Sequence, residues 1–351
     1  MPLDSLYLDN FRLFSKTKIQ FKNNHTIILG KNGSGKTTIV EAINLLYSNK
    51  SLRSKDIKDC IKEGSDFFKL GAKGTLGNKE FKKITRKKLD ARLENKIEPR
   101  EVKRADLERP VVVLNKQLKL IDGDPEIRRE FFYQLMFHVK PDLKNLHKKY
   151  TQALSQRNKA LKQGAQNKEI KIWTNKLLDL GIQLAKGQLQ VFNSFKKSVA
   201  KEVIPKRSLD FYKGLNLRFK RGWASSKELE EVLSESLDKE RALGYTLNGP
   251  HKFDFVFNIH QKNAKEILSR GQQKLLILLT FLSINDFFIA EKKPSSILII
   301  DDLTSELDEE NLKVFLDEVP KQDNQIIMTD IDPNDVLKKD KKLNSLEKII
   351  L

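Results

Sequence analysis

Apolar and polar residues alternate at the start of the chain, with Leu6 and Leu8, then Ile19 and Phe21, at two-residue spacing ahead of a continuous run at 26–29. That spacing predicts short strands, the last of them buried on both faces. A helical pattern follows from 36 to about 47. Residues 66–89 read as strand pairs punctuated by Gly71, Gly74 and Gly77, and 111–114 as another short strand. From Pro125 the period lengthens to that of a helix. Ile127, Phe131 and Leu135 fall on one stripe, and Leu143, Leu146, Tyr150, Leu154 and Leu161 on the next. After a polar break at 163–167, a second long helix carries Trp173, Leu177, Leu180, Leu184, Phe192, Phe195 and Val199, and Pro205 stops it. Strands return after about Arg207. The chain then runs through a helix at 272–290, a strand at 297–300, a helix at 308–319 and a strand at 326–329.

This order predicts an α/β fold, a mixed sheet with helices, into which a helical lobe is inserted. The head is built from both ends of the chain, 1–124 and 207–351, and the lobe is 125–206. Two long helices with a short connection are expected to pack antiparallel. No internal repeat or low-complexity tract interrupts the pattern.

Charge changes the picture. The 351 residues contain 66 Lys and Arg against 47 Asp and Glu, a formal charge of +19. The excess is local, because residues 144–224 hold 19 bases and 4 acids, leaving 47 bases and 43 acids for the rest. A basic segment in an otherwise near-neutral chain points to a polyanion, with nucleic acid the leading candidate. The run Lys82, Lys83, Arg86, Lys87 and Lys88 reads instead as a solvated hairpin face. Cys60 is the only cysteine, so no internal disulfide forms. No apolar stretch of about 18 residues and no basic leader is evident, so no membrane is expected and the location is read as cytoplasmic. The five histidines lack metal-ligand spacing.

Three motifs bring in chemistry. Gly30, Lys31, Asn32, Gly33, Ser34, Gly35, Lys36 and Thr37 fit G-x-x-x-x-G-K-[ST] between a predicted strand and a predicted helix. Backbone N–H groups of such a loop cradle phosphates, with Thr38 in the first helical turn. Lys36 reaches the outer phosphates and Thr37 ligates Mg²⁺. A buried strand then ends in Asp301 and Asp302, the first suited to holding the Mg²⁺ shell and the second to orienting or deprotonating a water. Ser269, Arg270 and Gly271 open a long apolar helix, and Ser305, Glu306, Leu307 and Asp308 follow the acidic strand. In this order the motifs match those of ABC-type ATPases, whose serine-glycine signature meets the γ-phosphate held by the opposite protomer.

Segments outside that general set carry a narrower resemblance. Leu6-x-Leu8-x-Asn10-Phe11-Arg12 resembles the opening strand of RecF and of related chromosome-maintenance and break-repair ATPases. The run 123–131 resembles the family's G-x-P-x-x-R-R segment. Gly249, Pro250, His251, Lys252 and Asp254 resemble its G-P-H-[KR]-x-D element, and 268–274 resembles its variant signature, with Arg270 where transporters usually have glycine. From Leu6 to about Thr329 the chain resembles the RecF family.

The resemblance implies a head without a long coiled coil, ATP and Mg²⁺ as cofactors, and slow ATPase activity with Lys36, Asp302 and Ser269 in catalytic roles. It also implies an ATP-dependent homodimer that binds double-stranded, gapped or junction DNA. Such a protein acts with RecR and RecO to load RecA in recombinational repair, replication and the SOS response. Arg12 is expected at an ATP phosphate. Asn115, Lys116 and Gln117 replace the family's usual proline and acids, which gives Gln117 the place of a polar sensor. Thr329 and Asp330 stand where transporters keep a γ-phosphate-sensing histidine, implying slow or differently gated hydrolysis. Two other classes share some of these motifs. One is a DNA-binding module that keeps ATP as a structural ligand. The other is a transporter ATPase, which the 233 positions between Lys36 and Ser269 disfavour.

Overall fold

The computed structural model describes residues 3–103, 107, 109–203, 210–331 and 346–351. Its centre is a parallel sheet of five strands in the order Glu347–Ile350, His25–Leu29, Ile326–Asp330, Leu298–Ile300, Val111–Val113. The three inner strands read as apolar runs rather than alternations because parallel strands are covered on both faces, and Ile27, Ile28, Ile299, Ile300, Ile326 and Ile327 are buried. The register sets Ile300 beside Met328 and Val113, and Asp330 beside Leu29. The residues that follow these strands, Gly30, Asp301, Ile331 and Leu114, therefore emerge along one edge, the carboxyl edge where α/β sheets bind ligands.

On one face lies helix Lys36–Ser48, whose Ile39, Val40, Ile43 and Leu46 share a core with Ile299 and Ile327. That core extends to an antiparallel sheet ordered Phe14–Gln20, Leu3–Phe11, Phe67–Leu76, Lys79–Lys88, Glu94–Glu98. Lys83 departs from the expected solvated face. It sits opposite Ala72 in the inward row and is fully buried, its ammonium 5.8 Å from the Tyr47 ring centroid. Helix Arg270–Ala290 is apolar all round, as a buried core helix must be. Contrary to the sequence expectation, it has the length and composition to cross a membrane, but 78% of its apolar window is buried inside the protein.

The chain divides into two units, Met1–Leu118 with Arg270–Ile289 and Lys293–Leu351, and Lys119–Ser269 with Ala290–Lys292. In the second, helices Pro141–Lys162 and Asn167–Val203 run antiparallel. Leu143 faces Gly187, Tyr150 faces Gly181, Arg157 meets Thr174, and Leu161 clusters with Ile170. Trp173 packs half-buried on that last cluster.

Residues 210–269, part of the stretch expected in the head, belong with these helices instead. The reason is aromatic packing and a buried charge. Helix Pro125–Val139 and the long helix bring Phe131, Phe132, Phe192 and Phe195 onto Phe219 and Phe255 of the small sheet Leu215–Lys220, Asp254–Ile259, Lys262–Asn263, and onto Phe253 just ahead of its second strand. Arg128 then forks onto Asp254 at 2.8 and 3.0 Å. Pro205 and Arg207, the expected helix stop and boundary, lie outside the described residues.

Candidate functional site

The loop 30–37 links the strand His25–Leu29 to the helix that starts at Lys36. Gly35 is required twice over: its φ of 104° is a left-handed conformation, and a Cβ there would stand 2.6 Å from the Phe14 ring. No side chain caps the helix and no acid occupies its first turn, which leaves its N–H groups for an anion. The Lys36 ammonium curls into the loop, donating to the carbonyls of Gly30 at 2.6 Å and Lys31 at 3.0 Å. Two of its three protons are used. Ser34 Oγ is buried with no hydrogen-bond partner among the described residues, as a phosphate-facing hydroxyl would be. Asn32 and Gly33 are exposed at the tip, and Thr38 is buried in the helix.

Across the sheet edge, Thr37 Oγ1 donates to Asp301 Oδ2 at 2.9 Å. The other oxygen of Asp301 accepts from Thr329 Oγ1 at 2.6 Å, and Thr329 Oγ1 in turn accepts from the backbone N–H of Asp302 at 3.0 Å. Thr329 of the neighbouring strand thus ties the Asp301 carboxylate to the Asp302 backbone. Asp302 itself has φ 60°, a left-handed value that turns the chain sharply out of the strand. No group of three or more His, Cys, Asp or Glu is assembled for a metal among the described residues. The hydroxyl of Thr37 and the carboxylate of Asp301 nevertheless suit Mg²⁺, which is held by one or two protein oxygens together with substrate phosphates. Thr329 is the participant that sequence reasoning overlooked. Its signal was the threonine one strand away from the acids, noticed only as a missing histidine.

Ser269 ends the second unit and Arg270 opens the helix of the first. A Cβ on Gly271 would come within 2.7 Å of Asp308 Oδ2, so only glycine allows the approach. Asp308 also caps helix Glu309–Glu318 through the N–H of Asn311 at 2.8 Å. The signature glycine and the Ser305-to-Asp308 run, far apart in sequence, are therefore neighbours.

Arg12 is placed differently from a free phosphate ligand. Its guanidinium forks onto both oxygens of Glu41 at 3.0 and 2.9 Å and donates to the Asp59 carbonyl and Ser54. Glu41 is fully buried on the phosphate-loop helix and also binds Ser51 and Arg53. Burial alone would raise its pKa, but the hydrogen bonds from Arg12, Ser51 and Arg53 override this and hold it at about 2. Arg53, also overlooked, bridges Glu41 to Thr38 Oγ1. Gln117 turns its side-chain oxygen to the Leu114 N–H at 3.1 Å, closing the turn after Val111–Val113 at the same edge as Asp301.

The family-like segments of the second unit prove to be structural partners. Arg128 of the first pairs with Asp254 of the second, while His251 Nδ1 lies 2.7 Å from the Tyr150 hydroxyl. Burial lowers the pKa of His251 to about 4, so it is neutral at pH 7.

A parallel sheet with a phosphate loop and paired acids on its carboxyl edge, and a signature glycine beside them, defines an ATPase head of the ABC type. The family model described as RecF/RecN/SMC N terminal domain matches residues 2–348. The DNA replication and repair protein RecF of Nitrosococcus oceani is 30% identical over 337 residues, covering 95% of this chain and 93% of the relative. RecF of Teredinibacter turnerae is 29% identical over 347 residues, covering 96% and 91%. This chain belongs to the RecF family, within the wider RecF/RecN/SMC group. Among solved structures, the recombination mediator RecF with ATP aligns at TM-score 0.76 and 22% identity over 95% of this chain and 93% of that one. An Smc head bound to the C-winged helix domain of ScpA aligns at 0.55 and 17%, covering 95% and 90%. Both share the fold.

Proposed function

We propose that this chain binds and slowly hydrolyses ATP, closes into a homodimer when ATP is bound, and in that form binds double-stranded DNA in recombinational and replication repair. The observation that carries the reading is the hydrogen bond between Thr37 of the phosphate loop and Asp301 of the acidic strand, which brings a phosphate cradle and a metal ligand to one point. Gly30 to Lys36 surround the phosphates with N–H groups, and the Lys36 ammonium neutralises their outer oxygens. Thr37 and Asp301 are the residues suited to holding Mg²⁺, which when bound supplies neutralisation of charge on the β- and γ-oxygens. Asp302 orients a water whose oxygen bonds to the γ-phosphorus as the bridging P–O bond breaks, and its carboxylate takes the proton. ADP and phosphate result.

The fold family supplies the dimer: Ser269 and Gly271 of one protomer complete the ATP site of the other. The lobe supports the DNA part of the reading, with exposed Lys168, Lys171, Lys176 and Lys186 along one long helix. The same reading takes RecR and RecO as partners, RecA loading as the outcome and the cytoplasm as the location, with membership of the RecF family as its support. Turnover measured for the wild type, Lys36→Met and Asp302→Asn tests the chemistry. The reading expects Lys36→Met to lose ATP binding or turnover, and Asp302→Asn to bind ATP without hydrolysing it. Hydrolysis by Asp302→Asn at the normal rate rejects it and favours a different water-handling group.

A further inference from the structure

The turn that follows the acidic strand, residues 302–306, is held in a way the motifs do not account for. It begins and ends with left-handed non-glycine residues, Asp302 at φ 60° and Glu306 at φ 61°. Such backbone is uphill for residues with side chains and persists only where surroundings over-determine it. Two buried charges do so here. From one side Asp330, fully buried at the end of its strand, accepts from the Thr304 hydroxyl at 2.8 Å and the Thr304 N–H at 3.2 Å. From the other, Lys274, 2% exposed in the first turns of helix Arg270–Ala290, donates to the carbonyls of Asp302 and Ser305.

Both residues also report to other parts of the site. The Asp330 carbonyl accepts from the N–H of Gly30, the first residue of the phosphate loop, at 3.3 Å. Lys274 lies on the helix that Gly271 anchors against Asp308. Burial lowers the pKa of Lys274 to about 8 while Asp302, Asp330 and Glu306 raise it. Asp330 is raised by burial although Thr304 and Ile331 donate to it. Buried charges need such compensation: Asp330 has the donors of Thr304 and Ile331, and Lys274 has the carbonyls of the turn and the nearby carboxylates of Asp302, Asp330 and Glu306.

We propose that Asp330 and Lys274 form a buried clamp of opposite charge on residues 302–306, and are positioning residues that set where the Asp302 carboxylate points. The clamp rests on the reading of Asp302 as the water-handling group. Where the transporter ATPases keep a γ-phosphate-sensing histidine at this strand end, this chain places Asp330 on the acidic turn. Its lysine ties the signature helix to the same turn, so a shift of that helix is transmitted to Asp302.

The test uses the full-length protein with Asp330→Asn, Thr304→Val, Thr304→Ser and Asp302→Asn, measuring ATP affinity, kcat, and hydrogen exchange of the Leu303 and Thr304 amides. The clamp predicts that Asp330→Asn and Thr304→Val lower kcat by about tenfold to a hundredfold, the cost of a misplaced reacting group. Affinity stays unchanged, and exchange at Leu303 and Thr304 accelerates. Thr304→Ser, which keeps the hydroxyl, restores wild-type values. Should Asp330→Asn fail to fold, the Thr304 pair decides alone. Wild-type kcat in Asp330→Asn, or equal impairment of Thr304→Ser and Thr304→Val, overturns the clamp while leaving the reading of Asp302 intact. Wild-type hydrolysis by Asp302→Asn rejects that reading instead, and any positioning role with it. Unchanged exchange in Asp330→Asn overturns the clamp whatever the turnover.

Discussion

The Thr37 hydroxyl donates to the Asp301 carboxylate at 2.9 Å, although 264 residues separate them in sequence. The parallel register makes this contact, because the strands before each residue end on the same sheet edge. Removing either oxygen should leave the cradle and weaken the metal. Thr37→Val and Asp301→Asn are expected to bind ATP in EDTA as the wild type does, yet to lose the extra stabilisation conferred by Mg²⁺. In the wild type, saturation at 100 times Kd amounts to about 2.7 kcal/mol. Unfolding curves with nucleotide, with and without Mg²⁺, check this; an undiminished Mg²⁺ effect in both variants removes them as ligands.

Charge on the lobe should govern DNA affinity. Reversing Lys168, Lys171 and Lys176 to glutamate is expected to weaken duplex binding at every sequence. It should also flatten log Kd against log salt by roughly 0.9 per lost phosphate contact. ATP binding stays as before. Equal affinity and slope in the triple variant would move the DNA contacts to another surface.

Glu41 gives the first unit an acid-sensitive anchor. Its folded pKa of about 2 lies below the unfolded value of 4.5, so its stabilisation is complete above pH 4.5 and is lost as pH falls toward 2. The wild type should exceed Glu41→Gln by about 3 kcal/mol at pH 7, with the gap closing between pH 4.5 and 2. Urea unfolding across that window measures it. A gap that stays constant with pH would mean that the Arg12 and Arg53 contacts contribute nothing through ionisation.

In the second unit, Arg128→Ala leaves Asp254 buried without its fork. The expected loss is about 3–5 kcal/mol, as for breaking a buried ion pair. Replacing both by apolar residues of similar volume should recover much of it, which equilibrium unfolding of single and double variants would show.

Much of this was legible beforehand. The α/β head, the strand–loop–helix context of the phosphate loop and the RecF resemblance were all read from spacing and motif, because period and glycine placement are local. Residues 210–269 were misassigned because strands resemble one another wherever they pack, and the aromatic cluster around Phe253 and Phe255 shows which unit they join. Strand Glu347–Ile350, which pairs with His25–Leu29, was missed because its burial alternates weakly at the sheet edge. Lys83 and Lys274 were unreadable for a shared reason: a lysine's burial depends on row and partner, not on its own spacing.

The central claim is that each ATP site is completed by two protomers. Sedimentation velocity at rising protein concentration tests it most directly, with ADP, with a slowly hydrolysed ATP analogue plus Mg²⁺, and with a fluorescent duplex. The account predicts monomers with ADP and concentration-dependent dimers with the analogue, the duplex travelling with the dimer. Lys36→Met and Ser269→Arg should each fail to dimerise alone but associate when mixed, since one of the two sites is then intact. A protein that stays monomeric with the analogue and DNA at every concentration would contradict it.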